Sequence, residues 1–166
     1  EGIGDKHVPW VHNVRNTDMV IAIDDENCMR ILRLFNEEAG RRILAGNGVK
    51  KEVLEKLPLM GISSISNMLS AIKMAKYYEL NENDVVFTIF TDSAEMYGSR
   101  LTELTKTHGK YSENNADIDL ERYLKGTGID YLKELSYYDR KALHNLKYFT
   151  WVEQQGRTSD ELRQLW

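Results

Sequence analysis

Two short runs limit what this chain can fold into more than any other feature: the continuous apolar Met19, Val20, Ile21, Ala22 and Ile23, and Val85, Val86, Phe87, Thr88, Ile89 and Phe90, rich in β-branched and aromatic residues. The first reads as a strand buried on both faces, the pattern of a parallel sheet covered by helices, and the second as a further strand. The first run meets Asp24 and Asp25, either of which can cap a helix. On that helix Met29, Leu32 and Phe35 recur every third residue, Ile31 and Leu34 widen the stripe, and Gly40 stands where a left-handed residue would end it. Strand, capping acid and amphipathic helix make a βα unit, and the expected class is α/β.

The remaining segments follow from the same rules. Residues 1–18, with Gly2, Gly4 and Pro9 and no period, read as an ordered loop. A short helix is expected around Lys50 to Leu57, ended by Pro58. A stronger one starts at Ser63 or Ser64 and carries Ile65, Met68, Leu69 and Ile72 to about Tyr78. The second strand ends in Thr91, Asp92 and Ser93. Residues 106–117 read as a surface connection. Beyond it Asp139 can cap a helix bearing Leu143, Leu146, Phe149 and Val152 and ending at Gly156, and Thr158 with Glu161 has capping-box spacing. Two regions are expected: an α/β part over residues 1–101 and a helical annex over 102–166.

Charge and length exclude several classes. The 22 basic and 26 acidic residues are interspersed, with no basic stripe for a phosphate backbone, so a nucleic-acid partner is not expected. No apolar run approaches the roughly 18 to 20 residues that cross a bilayer. Cys28 is the single cysteine, which rules out an internal disulfide and makes the cytoplasm the expected setting. The chain opens at Glu1 on a glycine loop, with neither an initiator methionine nor a signal-peptide profile, and a piece of a longer protein is expected.

Several clusters could carry chemistry, and each has an ordinary alternative. His7 and His12 near Asp5 could ligate a metal, but no further ligand stands at a convincing spacing, and no metal is expected. Cys28, inside a helix, reads as a small buried apolar group rather than a nucleophile. Gly2, Ile3 and Gly4 are too few for a dinucleotide fingerprint and read as a tight loop. Gly61, Ile62, Ser63 and Ser64 set a close-approach glycine and two hydroxyls at a helix start, either an anion-favouring site or a plain cap. Thr91, Asp92 and Ser93 end a strand where an open α/β sheet collects ligands, or they form a turn.

The order of these pieces resembles the last third of the cysteine synthase (O-acetylserine sulfhydrylase) family of fold type II pyridoxal-phosphate enzymes. Gly2, Ile3, Gly4 and Pro9 match that family's glycine loop, Gly61 to Ser64 its Gly-Ile-Ser-Ser, and Asp92, Ser93, Glu95 and Tyr97 its Pro-Asp-Ser-Gly-Glu-Arg-Tyr segment. The resemblance covers about residues 1–101. The annex, above all Asn145 to Gly156, is similar to the ending of a longer branch of cysteine synthase-like proteins. Departures stand at Asp5, Lys6 and His7 after the glycine loop, and at Ile65, Thr91, Ala94 and Met96.

The resemblance implies a mostly parallel sheet flanked by helices and pyridoxal 5′-phosphate as cofactor. Ser93 would hydrogen-bond the pyridine nitrogen, Gly61 and Ser63 would lie beside the cofactor, and Gly2, Ile3 and Gly4 along the substrate side. The implied reaction is β-replacement or β-elimination on a small amino acid; the departures leave the substrate open. The family's Schiff-base lysine and phosphate loop belong upstream, so the implied partners are the amino-terminal part of the same enzyme and, when intact, a second copy in a homodimer. Two other readings remain: a cofactor-free interaction or regulatory module, and one subunit of a split enzyme. As a fragment whose strands would normally pair with upstream strands, the chain is expected to have an exposed sheet edge.

Overall fold

Asp24 starts the first helix as its sequence implies: the side chain accepts the Glu26 amide at 2.8 Å, satisfying one of the free N–H groups of the first turn. The computed structural model describes residues 7–166. These are mostly helical and form two compact units, Ala22–Tyr131 and the residues up to Ile21 together with Leu132–Trp166. The boundary expected near residue 101 falls inside a helix, Gly98–His108. No helix among the described residues is long and apolar enough to cross a membrane.

The larger unit is built on α1, Asp25–Asn36, whose Cys28, Ile31, Leu32 and Leu34 are fully buried. Burial pushes the Cys28 thiol up to about 12, with the nearby Asp25 adding to it, so the sulfur stays protonated and acts as a packing group. Gly40 does not end α1. It lies in the next helix, α2, Glu38–Gly46, where a β-carbon would stand 2.1 Å from the Leu34 carbonyl oxygen. The glycine is there for the close approach of two backbones, not for a left-handed turn. After α3, Lys51–Leu54, and a turn of 3-10 helix at Leu57–Leu59 holding Pro58, α4 runs over Ile62–Tyr77 and packs Ile62, Ile65 and Leu69 into the core beside α1. Residues 106–117 are not a surface connection, since α5, Gly98–His108, and α6, Glu113–Asp119, occupy most of them. The reason is again a cap: Ser112 and Asn115 form a reciprocal capping box that starts α6.

The second apolar run does not form the expected strand: residues 85–90 take no regular secondary structure and join no sheet among the described residues. Its backbone makes no hydrogen bond to another backbone group among the described residues, and its single tie there is the Asn67 side-chain amide donating to the Ile89 carbonyl at 2.9 Å. Alternate residues on both faces are open: Val85 is 91% and Phe87 85% exposed, and Ile89 and Phe90 are exposed too. The exposed sheet edge expected from the sequence is not seen in this form: what is exposed is an apolar segment outside any sheet of the described residues.

The smaller unit holds the sheet of the described residues, in which β1, Met19–Ile21, pairs antiparallel with β2, Leu132–Glu134, with Val20 opposite Lys133. The expectation of a parallel sheet is corrected here. An apolar run states how much burial a strand can accept, not which partner it finds, and β1 has an exposed Val20 opposite a charged strand.

The helix of this unit also turns a different face inward than its leucines suggest. α7, Tyr137–Lys147, is capped by Ser136, with Asp139 reciprocating from its third position, and widens into a π turn over Tyr148–Val152. Leu146 and Phe149 are exposed, whereas His144 and Lys147 are buried. The inward face is a row of donors, each aimed at a backbone carbonyl. Arg140 Nε reaches Thr17 O at 2.8 Å, His144 Nε2 Leu162 O at 3.0 Å, Lys147 Nζ Trp10 O and His12 O at 2.9 and 2.6 Å, and Trp151 Nε1 Val8 O at 2.8 Å. An irregular segment packed against a helix brings carbonyls that no ladder satisfies, and side-chain donors must face it. Thr158 and Glu161 start α8, Ser159–Gln164, with the expected capping box, and Gly156 before it has a φ of 71°.

His144 gives this unit a pH dependence with a definite sign. Burial lowers its pKa, and Lys147 and Lys141 lower it further, against the raising effect of the Leu162 carbonyl. With the folded pKa below the unfolded 6.5, the unfolded chain binds the proton first as pH falls. Stability is expected to be complete above that value and to decline from there down through the folded pKa. Urea midpoints of the wild type and His144→Gln across this range check it: the wild-type curve should fall more steeply.

Candidate functional site

The beginning of α4 and the end of the exposed apolar segment are joined by one carboxylate. Asp92 accepts the Ser63 amide at 3.0 Å on Oδ2 and the Ser64 amide at 2.8 Å on Oδ1. The Ser64 hydroxyl donates to Oδ1 at 2.6 Å and Tyr97 Oη to Oδ2 at 2.8 Å. The main chain closes the clamp, the Gly61 amide donating to Asp92 O at 2.9 Å. α4 has no side-chain cap from its own flanking residue, so Asp92, 28 residues beyond Ser64, supplies it. Burial pushes the Asp92 carboxyl up, but the donors on Ser64, Tyr97 and Ser63 outweigh it and hold the group below its usual range.

Gly61 is explained by the same contact. A β-carbon on it would lie 2.5 Å from the Asp92 carboxylate and 2.8 Å from the Tyr97 ring. The close approach read from the sequence is real, and what approaches is the chain's own side chain. The anion-favouring amides at the start of α4 are likewise engaged by Asp92 rather than left open for an external anion.

Ser63 and Ser93 flank the clamp. Both are half-buried, and neither hydroxyl hydrogen-bonds any protein group among the described residues. Ser93 leads into a 3-10 turn, Ala94–Tyr97, giving its carbonyl to the Met96 amide while its side chain caps nothing. Ala94 behind it is buried, and Thr91 and Glu95 are exposed. The clamp thus fixes the backbone on either side of two hydroxyls that remain available as donors or acceptors.

The other candidates resolve plainly or lie elsewhere. Gly2, Ile3 and Gly4, and Asp5 of the metal reading, lie outside the described residues. His12 Nε2 is 2.9 Å from the Thr17 hydroxyl, and no group of histidine, cysteine and carboxylate side chains that could hold a metal occurs among the described residues. Asp92 as a cap and Tyr97 as its second anchor went unread in the sequence. A cap 28 residues away leaves no local spacing, although Asp92 and Tyr97 stand in the resembling segment. No protein-family model, curated protein or solved structure matches this chain.

Proposed function

We propose that this chain is the carboxy-terminal portion of a pyridoxal-phosphate enzyme of the cysteine synthase type, acting by β-replacement or β-elimination on a small amino acid. In this reading an amino-terminal portion of the same enzyme carries the Schiff-base lysine and the phosphate loop, and the intact protein is a cytoplasmic homodimer. The observation that carries the proposal is the exposed, mostly apolar segment over residues 85–90, which makes no backbone–backbone hydrogen bond among the described residues and leads into the Asp92 clamp beside Ser93. Such a segment is unfavourable alone and becomes favourable when strands and helices cover it. The mostly parallel sheet of the resemblance is then completed by polypeptide outside this sequence.

The residues present fit the cofactor in one respect and limit it in another. The Ser93 hydroxyl, next in sequence to the clamped Asp92 and without a protein partner among the described residues, suits a heteroaromatic nitrogen, and the Ser63 hydroxyl suits a polar edge nearby. The α4 amides are engaged by Asp92, so Gly61 and Ser63 form a wall beside the cofactor rather than a phosphate cradle. When bound, the group supplies an electron sink for loss of the substituent at Cβ. Ser93 tunes that sink: a neutral hydroxyl does not hold the ring nitrogen protonated as a carboxylate would. Asp92 keeps the Ser93 backbone in place, and its own charge is committed to four donors.

The test is the full-length protein mixed with pyridoxal phosphate. A yellow complex is expected, with product formed from O-acetylserine, cysteine or serine and detected by mass spectrometry. Ser93→Ala should shift the visible band and slow turnover by roughly tenfold or more, the loss of about 1.4 kcal/mol or more of transition-state stabilisation. A colourless mixture, or a variant matching the wild type in both band and rate, would reject the reading and favour the cofactor-free module.

A further inference from the structure

The smaller unit contains a cavity of about 510 Å³ between α7 and α8 whose chemistry has no part in the reading above. Its polar lining includes Lys141, Asn145, Ser159 and Arg163, its walls include the rings of Tyr148 and Trp166, and no carboxylate side chain lines it. Lys141 Nζ lies 4.2 Å over the Trp166 ring and has no carboxylate partner among the described residues. The Asn145 amide and the Ser159 hydroxyl likewise make no hydrogen bond to protein among these residues. Arg163 pairs with Asp160 through one nitrogen, Nη1, at 2.5 Å. His144 has its Nε2 proton on the Leu162 carbonyl and forms part of the wall with the edge of its ring toward Trp166.

We infer that this cavity is a binding site for a small anion carrying a planar ring. Small-molecule sites have volumes of roughly 300 to 1,000 Å³, mostly apolar walls and a few convergent polar groups. Here the convergent polar groups can all donate, and of the two positive charges Arg163 is shared with Asp160 while Lys141 has no carboxylate partner among the described residues. A carboxylate or phosphate placed between Lys141, Asn145 and Ser159 receives donors that the protein does not otherwise use, and a flat ring rests against Tyr148 and Trp166. Lys141, already on the Trp166 face, is pre-positioned: the cation–π contact holds the ammonium at the edge of the cavity without neutralising it. The assignment stands whether or not the intact protein binds pyridoxal phosphate, because none of these residues belongs to the Asp92 clamp.

The shared chemistry, ring plus anion, could be an aromatic carboxylate or a nucleoside monophosphate. Titrating the full-length protein with phenylacetate and with adenosine monophosphate, followed by tryptophan fluorescence and calorimetry, distinguishes the two. Acetate, inorganic phosphate and adenosine report on each half alone. Saturable binding of at least one ring-bearing anion is expected, weakened about tenfold or more in Lys141→Gln, as loss of one charge-assisted contact implies. Arg163→Gln, at a mostly exposed position, tests the second charge should the first variant fold poorly. The inference is overturned if neither ring-bearing anion binds, if acetate or inorganic phosphate binds as tightly, or if the variants bind as the wild type does.

Discussion

Replacing Asp92 with alanine is expected to lower the stability of the larger unit by about 3 kcal/mol, more than any other single change at the candidate site. The substitution removes the cap of α4, for which losses of about 0.5 to 2 kcal/mol are usual, and leaves the Ser64 and Tyr97 hydroxyls without their acceptor. Asp92→Asn keeps one oxygen and the shape, so it should recover part of the loss. Denaturant midpoints at constant m-value measure both. The same variants have a functional reading in the intact protein, because the clamp positions Ser93: Asp92→Ala should reduce turnover together with stability, whereas Ser93→Ala should reduce turnover alone. An Asp92→Ala protein as stable as the wild type would mean that water replaces the carboxylate and that the clamp is not what organises this corner.

The second large effect is expected at Lys147. The residue is 1% exposed, and its ammonium donates to two main-chain carbonyls, of Trp10 and His12, in a segment with few backbone hydrogen bonds of its own. Burial lowers the lysine pKa, the sign of a charge held away from water. Lys147→Ala should cost about 3 kcal/mol through the lost contacts, the cavity and two carbonyls left without a donor. Lys147→Met separates these contributions. It fills much of the same volume and removes the buried charge, so any destabilisation that persists, about 2 kcal/mol, belongs to the orphaned carbonyls. Proteolysis within residues 7–18 should accelerate in both variants. A methionine variant of wild-type stability would show that packing alone holds the segment.

Much of the helical structure is written in local signals, although the Ser112 and Asn115 box that starts α6 is just as local and stands where a connection was expected. Asp24 capping α1, the buried stripe of Met29, Leu32 and Phe35, the α4 repeat of Ile65 and Leu69, and the Thr158 capping box all depend on residues within one or two turns of each other. Cys28 as a packing group follows from its place on the stripe. The candidate site was legible only in part. Gly61 announces a close approach but not by what, and Ser93 announces a hydroxyl at a strand end but not the carboxylate next to it that fixes its backbone.

Where long-range partners decide, the sequence and the structure part. The amino-acid order alone indicated α1, α4 and α8, the Asp24 and Thr158 caps and the two apolar segments, because hydrogen-bond rings of a few residues and side-chain periodicity are properties of adjacent residues. Tertiary structure alone decided that β1 pairs antiparallel with Leu132–Glu134, that Gly40 serves a crossing rather than a stop, and that α7 turns Lys147 and His144 inward while Leu146 and Phe149 face out. The strand pairing and the inward face of α7 depend on backbone groups far along the chain that need a partner, whereas Gly40 answers the nearby Leu34 carbonyl, an approach set by how α1 and α2 pack rather than by any periodicity.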